Sequence, residues 1–340
     1  MKAVVIKEFV SNLDEVKVSE VPDPSPDPQG VLIRVHAAGA NFVDTLYAQG
    51  KHQNNKTLVR PPFTLGLEFA GTVISAPADS DFAPGDRVYG GHTGSYAEIM
   101  SLPASTTLRR IPPSWDFAGA AGICATLPVS YAALVSRAGL KTGQTVLIHA
   151  AAGGLGIMAV QVAKAVGCRV IGTAGSDEKC QVATRYGADS CINYTTHPDW
   201  WKQVLDLTDG KGVDVVYDPV GLVDLSLKCI AHFGKLLIVG FAAGAIEKIA
   251  MNRVLLKQTT LIGYRFGESL RRDPAEEAQL WKSLQPLIDD GKIVPVVYDH
   301  EYRGLESVSQ VLKDLASRRT WGKAIVRLEQ PTAKPVEARL

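Results

Sequence analysis

The sequence predicts an α/β protein of two domains: an antiparallel β domain of barrel type, followed by a doubly wound parallel sheet. Its 340 residues exceed the size of one typical core, since a domain has roughly 150 residues. Up to about residue 120, short β-type runs such as residues 31–35 alternate with Pro- and Gly-rich turns. From about residue 126, apolar runs alternate with segments of helical periodicity, which indicates a parallel sheet with helices on both faces.

The individual elements follow from the spacing of their apolar residues. Strands of the first domain are predicted over residues 1–6, 31–35 and 70–74. β-branched apolar runs predict the later strands over 145–150, 169–173, 213–217, 235–239, 294–298 and 323–328. Helical spacing predicts helices over 156–166, 178–186, 274–290 and 306–317. Periodicity leaves open whether the elements after residue 270 rejoin the first domain.

Composition and charge exclude several classes of protein. The 36 Lys and Arg nearly balance the 35 Asp and Glu and form no long basic run, which argues against a nucleic-acid-binding protein with its basic face. No apolar stretch reaches the ~18 residues of a membrane span, and the first strand is too short for a signal-peptide core. Five cysteines without a C-x-x-C pair argue against a disulfide framework and a thiolate zinc cluster. We therefore expect a cytoplasmic protein without nucleic-acid or membrane partners.

A glycine-rich turn after the first strand of the second domain is the strongest chemical signal. The strand runs directly into Ala152, Gly153, Gly154, Leu155 and Gly156, where a helix begins. Small residues let backbone N–H groups approach a pyrophosphate, and the helix N-terminus adds partial positive charge. Because it stands between a strand and a helix in a repeated β–α pattern, this string predicts a dinucleotide site.

The end of the next strand indicates which nicotinamide cofactor binds. A NAD site places Asp or Glu roughly 20 residues further on, where it binds the ribose 2′-hydroxyl. Here the strand ends near Ser176, with Lys179 one helical turn later, and a cation at that point suits a 2′-phosphate. Asp177 and Glu178 are the counter-evidence, and we expect their side chains to point to solvent at the helix start. The sequence therefore predicts NADPH as the cofactor.

Ordered motifs along the whole chain resemble those of one family. Asn41-x-x-Asp44, followed by Gly50, resembles the entry segment of quinone oxidoreductases. The other motifs are a G-x-E-x-x-G turn, a G-x-Y-A-E strand, an A-x-x-G-G-x-G turn and two later Rossmann strands, at 66–71, 94–98, 150–156, 212–218 and 234–240. From residue 1 to about 328, the chain resembles the zinc-free quinone oxidoreductase (zeta-crystallin-like) branch of the medium-chain dehydrogenase/reductase superfamily.

This resemblance implies a GroES-like β-barrel catalytic domain that is interrupted by a Rossmann domain with a doubly wound parallel sheet. The implied bounds are 1–125 for the catalytic domain, 126–266 for the NADPH-binding domain and 267–328 for a C-terminal return to the catalytic domain. The polar tail, 329–340, is expected to be flexible. The resemblance also implies a homodimer formed by pairing of Rossmann edge strands.

The resemblance assigns further residues to the cofactor. The 2′-phosphate pocket would be formed by Ser176, Lys179, Tyr194 and Arg318. The neighbouring Arg319 could replace Arg318 in that pocket. Phe241, directly after Gly240, would lie near the nicotinamide.

The zinc-dependent branch shares this fold, so the positions of its metal ligands decide the chemistry. By resemblance, a Cys stands there in place of Asn41, a His in place of Leu67, and a second Cys at or within one residue of Cys124. A catalytic zinc needs about three protein ligands. Asn and Leu are not zinc ligands, so no metal is expected. Cys124 is interpreted as a small buried residue, and His149 as a satisfied residue of the core.

Four residues of the Asn41–His52 segment are the candidates for chemistry: Asn41, Asp44, Tyr47 and His52. Asn41 could donate a hydrogen bond to the substrate oxygen or the cofactor ribose, whereas Asp44 is favoured as a local structural acceptor. Tyr47 could hydrogen-bond the substrate or pack against its neighbours. Many relatives carry Tyr where His52 stands, and a histidine can also supply a proton. Solvent is the alternative proton source.

Hydride transfer without a metal requires a substrate that accepts hydride unaided. Quinones do so because the product is an aromatic hydroquinone, and activated alkenes do so because charge delocalises into a carbonyl. The leading hypothesis is therefore NADPH-dependent reduction of a quinone. One alternative is a reductase of α,β-unsaturated ketones (enones) or enoyl thioesters. The other is a non-catalytic NADPH-binding or RNA-binding accessory protein, against which the formal net charge of +1 argues.

The last three residues bear on location. Ala338-Arg339-Leu340 resembles the small-basic-leucine signal for import into peroxisomes. A flexible polar tail before it would let a receptor reach the signal. Two locations therefore stay open, the cytoplasm and the peroxisome.

Overall fold

The computed structural model describes residues 1–52 and 59–328, and the chain divides into two compact units. The first unit comprises residues 1–122, 297–319 and 324–328, and the second comprises 123–296 and 320–323. The predicted flexible tail and the C-terminal tripeptide lie outside the described residues. Within the described part, no helix is both long and apolar enough to cross a membrane.

The first unit is built mainly from antiparallel strands. Before residue 122 these are β1 (Lys2–Ile6), β2 (Val18–Glu20), β3 (Val31–Gly39), β4 (Phe63–Thr64), β5 (Glu68–Ser75), β6 (Arg87–Gly91), β7 (Ile99–Leu102) and β8 (Leu108–Arg110). Two short helices accompany them, α1 (Phe42–Ala48) and α2 (Phe117–Ala120). The long strand β3 alternates buried and half-buried residues over its first six positions, as expected for a strand with one face on the core. It pairs with both β5 and β7.

The second unit contains a six-stranded sheet in which every pairing is parallel. Its strands are β9 (Thr145–Ile148), β10 (Arg169–Ala174), β11 (Ser190–Asn193), β12 (Val213–Asp218), β13 (Ile230–Ile238) and β14 (Thr260–Gly263). Its helices are α3 (Leu127–Tyr131), α4 (Gly154–Val166), α5 (Asp177–Arg185), α6 (Trp200–Leu207), α7 (Val223–Ser226), α8 (Met251–Lys257), α9 (Phe266–Arg272) and α10 (Ala275–Asp289). The strand order β11-β10-β9-β12-β13-β14 is the Rossmann order 3-2-1-4-5-6.

The C-terminal segment returns to the first unit. It adds β15 (Tyr302–Arg303), α11 (Val308–Ala316) and β16 (Ile325–Arg327). Strand β16 pairs antiparallel with β3, and β15 pairs parallel with β16, which completes a seven-stranded sheet. The prediction of a two-domain α/β fold with a β domain and a doubly wound parallel sheet is confirmed.

The division of the chain differs from the predicted bounds after residue 266. Residues 267–296 lie in the second unit, because α10 packs against α3 and Arg137 donates to Glu276 over 2.8 Å. The return to the first unit begins at Val297 instead. Residues 320–323 also lie in the second unit, where the N–H of Gly322 donates to the carbonyl oxygen of Ala152 over 2.6 Å.

The prediction of a strand over 294–298 is wrong. Pro295 has no N–H to donate to a ladder. The backbone of Val294 is instead bonded by a side chain, since its N–H donates to Gln161 Oε1 over 2.8 Å and its oxygen accepts from Gln161 Nε2 over 3.1 Å. The oxygen of Val296 accepts from the N–H of Lys323 over 2.8 Å, and a single bridge residue, Val297, stands where a strand was predicted.

Candidate active site

The glycine-rich turn joins β9 to α4 at the carboxyl end of the parallel sheet. The 13-residue helix α4 begins at Gly154, and Gly153 is its N-cap, with no side chain bonded to the first helical N–H groups. A Cβ on Gly156 would lie 2.1 Å from the carbonyl oxygen of Ala150, so only glycine permits this turn to fold against the helix. Ala152 is buried, and Leu155 accepts a hydrogen bond from Ser130 Oγ over 3.0 Å. The turn is thus a fixed, small-residue cradle at a helix N-terminus, which suits a pyrophosphate.

The strand order places this turn where ligands bind in open parallel sheets. The order reverses beside β9, which pairs with β10 on one side and with β12 on the other. In doubly wound sheets, dinucleotides bind at the carboxyl ends of the strands beside such a reversal. The residues that follow β9, β10, β12 and β13 are therefore the ones that this unit offers to a cofactor.

A polar corner follows β10. Ser176 is the N-cap of α5, and its Oγ accepts from the N–H of Lys179 over 3.2 Å. Tyr194 follows β11, donates its N–H to the oxygen of Ala174 over 3.0 Å, and packs its hydroxyl beside Gly175, where a Cβ would lie 2.7 Å from it. The structure therefore brings Ser176, Tyr194 and the backbone of Lys179 together at one strand end.

The two carboxylates beside this corner are exposed, as the sequence suggested. Asp177 also accepts a hydrogen bond from Asn193 Nδ2 over 2.8 Å, which draws its carboxylate toward the end of β11. Glu178 occupies the first turn of α5, where a negative charge favours the helix dipole. The residue at the tip is Ser176, which has no carboxylate to bind a ribose 2′-hydroxyl.

The arginines predicted for the 2′-phosphate lie at the end of α11 in the first unit. Arg318 has a left-handed backbone, with φ of +57°, and its N–H donates to the oxygen of Leu315. Arg319 forms an ion pair with Asp314 over 3.0 Å. Asp314 also accepts from the hydroxyl of Tyr302, so Arg319 is part of a local network. The choice between Arg318 and Arg319 for a phosphate therefore stays a prediction.

Gly240 and Phe241 follow β13 after one intervening residue, Val239, and lie beside the loop that follows β12. A Cβ on Gly240 would lie 3.2 Å from the oxygen of Pro219, and one on Gly221 would lie 3.2 Å from the ring of Phe241. Both loops therefore run close together at the carboxyl edge of the sheet. This places the residues predicted for the nicotinamide on the same edge as the glycine-rich turn.

Asp218 fixes that loop, and the sequence reading gave it no role. The carboxylate is fully buried and accepts from the N–H groups of Val220, Gly221 and Leu222, at 2.8, 2.9 and 2.6 Å. An acidic residue at a strand end, followed by Pro and Gly, predicts a turn in which the side-chain carboxylate accepts hydrogen bonds from the backbone. That signal was present in the sequence and could have identified the residue.

In the first unit, four buried polar residues form what we call the Asn41 cluster: Asn41, Asp44, Glu68 and Tyr96. Asn41 Nδ2 donates to the oxygen of Gly39 and to Glu68 Oε1, both over 3.1 Å. The N–H of Asn41 and the hydroxyl of Tyr96 both donate to Asp44 Oδ2 over 2.9 Å. The cluster thus ties the start of α1 to strand β5 and to residue 96.

This geometry bears on the roles that the sequence suggested. Asp44 accepts hydrogen bonds locally, as a structural residue would. Asn41 directs its amide hydrogens at Gly39 and Glu68, so donation to a substrate oxygen would require the exchange of one of these bonds. Burial and the nearby Asp44 raise the pKa of Tyr96 well above its ordinary value, so its hydroxyl stays a donor.

Tyr47 and His52 form a second pair in the same segment. Their ring centroids lie 4.7 Å apart and the rings are tilted by 41°. Both side chains are half-buried, so each keeps exposed surface. Phe9 packs against Gly50, which lies between them in the sequence, since a Cβ on Gly50 would lie 2.8 Å from its ring. The structure therefore groups the four predicted residues as two pairs, one buried and polar, the other aromatic and accessible.

The structure also describes two positions at which the related branch holds zinc. Leu67 is half-buried between β4 and β5, and Cys124 is half-buried rather than buried as expected. Within residues 1–52 and 59–328, no three His, Cys, Asp or Glu side chains are grouped as metal ligands.

Comparison with known proteins assigns the chain to a family. Residues 27–113 match the alcohol dehydrogenase GroES-like domain, and residues 154–285 match the zinc-binding dehydrogenase family. Quinone oxidoreductase-like protein 2 of Rattus norvegicus is 35% identical over 321 residues, which are 92% of this chain and 89% of that protein. Human quinone oxidoreductase is 33% identical over 304 residues, which are 87% of this chain and 89% of that protein.

A solved structure of a quinone oxidoreductase is also similar to this chain. Escherichia coli quinone oxidoreductase in complex with NADPH is 27% identical, has a TM-score of 0.84, and covers 96% of this chain and 100% of its own. These matches confirm the GroES-like and Rossmann assignments that the motifs suggested. The chain belongs to the quinone oxidoreductases of the medium-chain dehydrogenase/reductase superfamily, and it is an oxidoreductase that uses a nicotinamide cofactor.

Proposed function

We propose that this protein reduces a quinone with NADPH, by hydride transfer that needs no metal ion. The observation that carries the proposal is the Asn41 cluster, where Asn41 donates its side-chain amide to Glu68 and its backbone N–H to Asp44. At the zinc-ligand positions of the related branch stand an amide, Asn41, and an alkyl side chain, Leu67. Neither is a zinc ligand. A substrate that accepts hydride unaided is what such a site can use.

The residues of the second unit fit a dinucleotide. The cradle of Ala152, Gly153, Gly154, Leu155 and Gly156 would hold the pyrophosphate through backbone N–H groups. Gly240 and Phe241 would border the nicotinamide at the ends of β12 and β13. When bound, the cofactor supplies a hydride.

The preference for NADPH rests on the corner after β10. Ser176 can bond one 2′-phosphate oxygen, Tyr194 presents a hydroxyl beside it, and the ammonium of Lys179 would supply positive charge. Arg318, which lies in the first unit, stays a cation that only the resemblance suggests for a 2′-phosphate. The Escherichia coli relative was crystallised with NADPH, which supports the choice.

The substrate contacts proposed for the first unit are Tyr47 and His52. An aromatic pair with exposed surface suits a planar quinone ring. His52 could protonate the developing oxyanion, since imidazole titrates near neutral pH. Asn41 and Asp44 hold the start of this segment in place.

The function is tested with chelator-treated protein by following NADPH absorbance. Separate wells receive 9,10-phenanthrenequinone, a benzoquinone or an enone, each with NADPH or NADH. Lys179→Ala should raise the KM for NADPH by roughly 10- to 100-fold and leave that for NADH nearly unchanged. Lys211→Ala, an exposed lysine before β12, is the matched control.

The outcomes separate the alternatives. Turnover with the quinones supports the proposal, whereas turnover with the enone alone would make the protein an alkene reductase. Tight NADPH binding without turnover of any acceptor would favour the accessory role. Equal sensitivity of NADPH and NADH to Lys179→Ala would contradict the proposed phosphate pocket.

We also propose a homodimer formed at strand β14. This strand is the edge of the sheet, and the neighbouring α8 exposes Met251, Leu255 and Leu256 by 64, 75 and 69%. An exposed strand edge beside an apolar patch favours pairing with a second copy. Light scattering should give twice the 36.5 kDa of one chain, and Leu255→Glu should shift this toward the monomer. Lys211→Glu should stay dimeric, and a monomeric wild type would refute the proposal.

A further inference from the structure

A fully buried histidine stands directly before the glycine-rich turn. His149 follows the last residue of β9, and none of its surface is exposed. Its Nδ1 lies 2.9 Å from the Thr173 hydroxyl on β10, and its Nε2 lies 2.8 Å from the Ser226 hydroxyl on α7. The ring of Trp200 packs against it edge-on, with centroids 4.9 Å apart. We call His149, Thr173 and Ser226 the His149 network.

The hydrogen bonds of the His149 network define one tautomer. Ser226 donates its only hydroxyl hydrogen to the oxygen of Leu222 over 2.7 Å, so toward the imidazole it acts as an acceptor. Nε2 therefore carries the hydrogen, and Nδ1 accepts from Thr173. This arrangement favours the neutral ring, because a second N–H at Nδ1 would oblige the Thr173 hydroxyl to turn and donate elsewhere.

The surroundings favour that neutral ring. Burial lowers the pKa of His149 below its ordinary value, and the carboxylate of Asp218 offsets this only in part. Three side chains on β10, α6 and α7 contact the ring, and all are uncharged: Thr173, Trp200 and Ser226. Asp218 is committed to three backbone N–H groups of the loop after β12.

The network joins the strand ends that form the cofactor site. Two backbone hydrogen bonds join the same strand ends. The N–H of His149 donates to the oxygen of Tyr217 over 3.1 Å, and that of Ala151 donates to the oxygen of Thr173 over 3.0 Å. Through its side chain, His149 connects β9, β10 and the helix after β12. A change in this imidazole would therefore alter the spacing of three segments that surround the glycine-rich turn.

We propose that His149 is a positioning residue for the cofactor, which as a neutral imidazole holds the glycine-rich turn and its neighbouring strand ends at the spacing that the dinucleotide requires. In this role His149 contacts neither substrate nor cofactor. It changes the affinity for the cofactor, because it sets the spacing of the segments that bind it. The inference rests on the proposed function only in taking the cofactor to bind at these strand ends. Its consequence is a loss of cofactor affinity as the pH falls through the lowered pKa of His149, which lies below the ordinary value of about 6.5.

The test removes each hydroxyl partner and measures the Kd of NADPH and NADH by fluorescence. Thr173→Val keeps the shape of the side chain, and Ser226→Ala removes one oxygen. Each should weaken both cofactors about three- to tenfold, with kcat at saturating cofactor nearly unchanged. Thr208→Val is the matched control, because Thr208 also donates within a buried turn, to Val204 over 2.8 Å, but before β12. Melting curves verify that each variant folds.

A pH series distinguishes positioning from simple packing. Wild-type affinity for NADH, which has no 2′-phosphate to titrate, should fall only once the pH drops below the ordinary histidine value of about 6.5. His149→Gln should bind more weakly at pH 7 and lack this acid-dependent step. Affinity losses no greater than those of Thr208→Val, or an acid step that persists in His149→Gln, would overturn the inference.

Failure of the proposed function looks different. A wild type that binds NADH but not NADPH refutes the cofactor preference, yet the NADH series still decides on His149. A wild type that binds neither refutes both proposals. A wild type that binds both without reducing a quinone refutes the substrate alone.

Discussion

The Asn41 cluster and the His149 network are both closed to solvent, but only the first contains carboxylates. In the first unit, Asp44 accepts two hydrogen bonds on one oxygen, and Glu68 accepts from Asn41. In the second unit, the imidazole of His149 is hydrogen-bonded to two hydroxyl groups. The two units thus use different means to place a loop at the end of a strand.

This difference predicts how each loop responds to mutation and to pH. Hydrogen bonds to a charged acceptor contribute about 1.5–3 kcal/mol, against about 1 kcal/mol for neutral pairs. A buried carboxylate that loses its donors is also costly, because its charge stays desolvated. The Asn41 cluster should therefore be rigid and sensitive to mutation, whereas the His149 network should be weaker and adjustable by pH.

The largest effect should follow removal of the carboxylate of Asp44. Asp44→Ala deprives the N–H of Asn41 and the hydroxyl of Tyr96 of their acceptor. We expect the free energy of unfolding to fall by about 3 kcal/mol, from two lost bonds to a charged group. Urea unfolding followed by tryptophan fluorescence measures it. Asp14→Ala, at an exposed carboxylate of the same unit, is the control, and a loss below about 1 kcal/mol would contradict the account.

A smaller effect should separate the two regions directly. Tyr96→Phe and Thr173→Val each remove one buried hydroxyl and keep the shape of the side chain. Tyr96 donates to a carboxylate and Thr173 to a neutral ring, so we expect losses of about 2 and about 1 kcal/mol. The same urea titrations measure both. Equal losses would show that the charge of the acceptor does not set the strength of these bonds.

The parts of the fold that the sequence predicted are those specified by local pattern. The glycine-rich turn is one, because a strand, three glycines and a helix stand within a dozen residues. The residue at the tip after β10 is another, since the presence of Ser176 in place of Asp or Glu concerns a single position. Where a side chain from elsewhere replaces a backbone partner, local pattern fails, as Gln161 shows beside Val294, 133 residues away.

The candidate site was predicted as a set of residues but not as a network. Tyr96 and Asp44 lie 52 residues apart, and the partners of His149 lie 24 and 77 residues away. No periodicity relates such positions, because they meet only when the strands are paired. The sequence could place His149 in a core strand as a satisfied residue, but it could not show which groups satisfy it.

The smallest effect concerns pH, and its sign follows from the lowered pKa of His149. Below the unfolded value of about 6.5, the unfolded chain binds a proton that the folded ring resists, so this contribution to stability is present above pH 6.5 and lost as the pH falls. Between pH 7 and 6 the loss should be below about 1 kcal/mol. His149→Gln should remove this difference, whereas Tyr96→Phe should leave it unchanged. If the wild type and His149→Gln lose stability in parallel over this interval, the acid sensitivity belongs to other groups, and the two regions do not differ in the way their charges suggest.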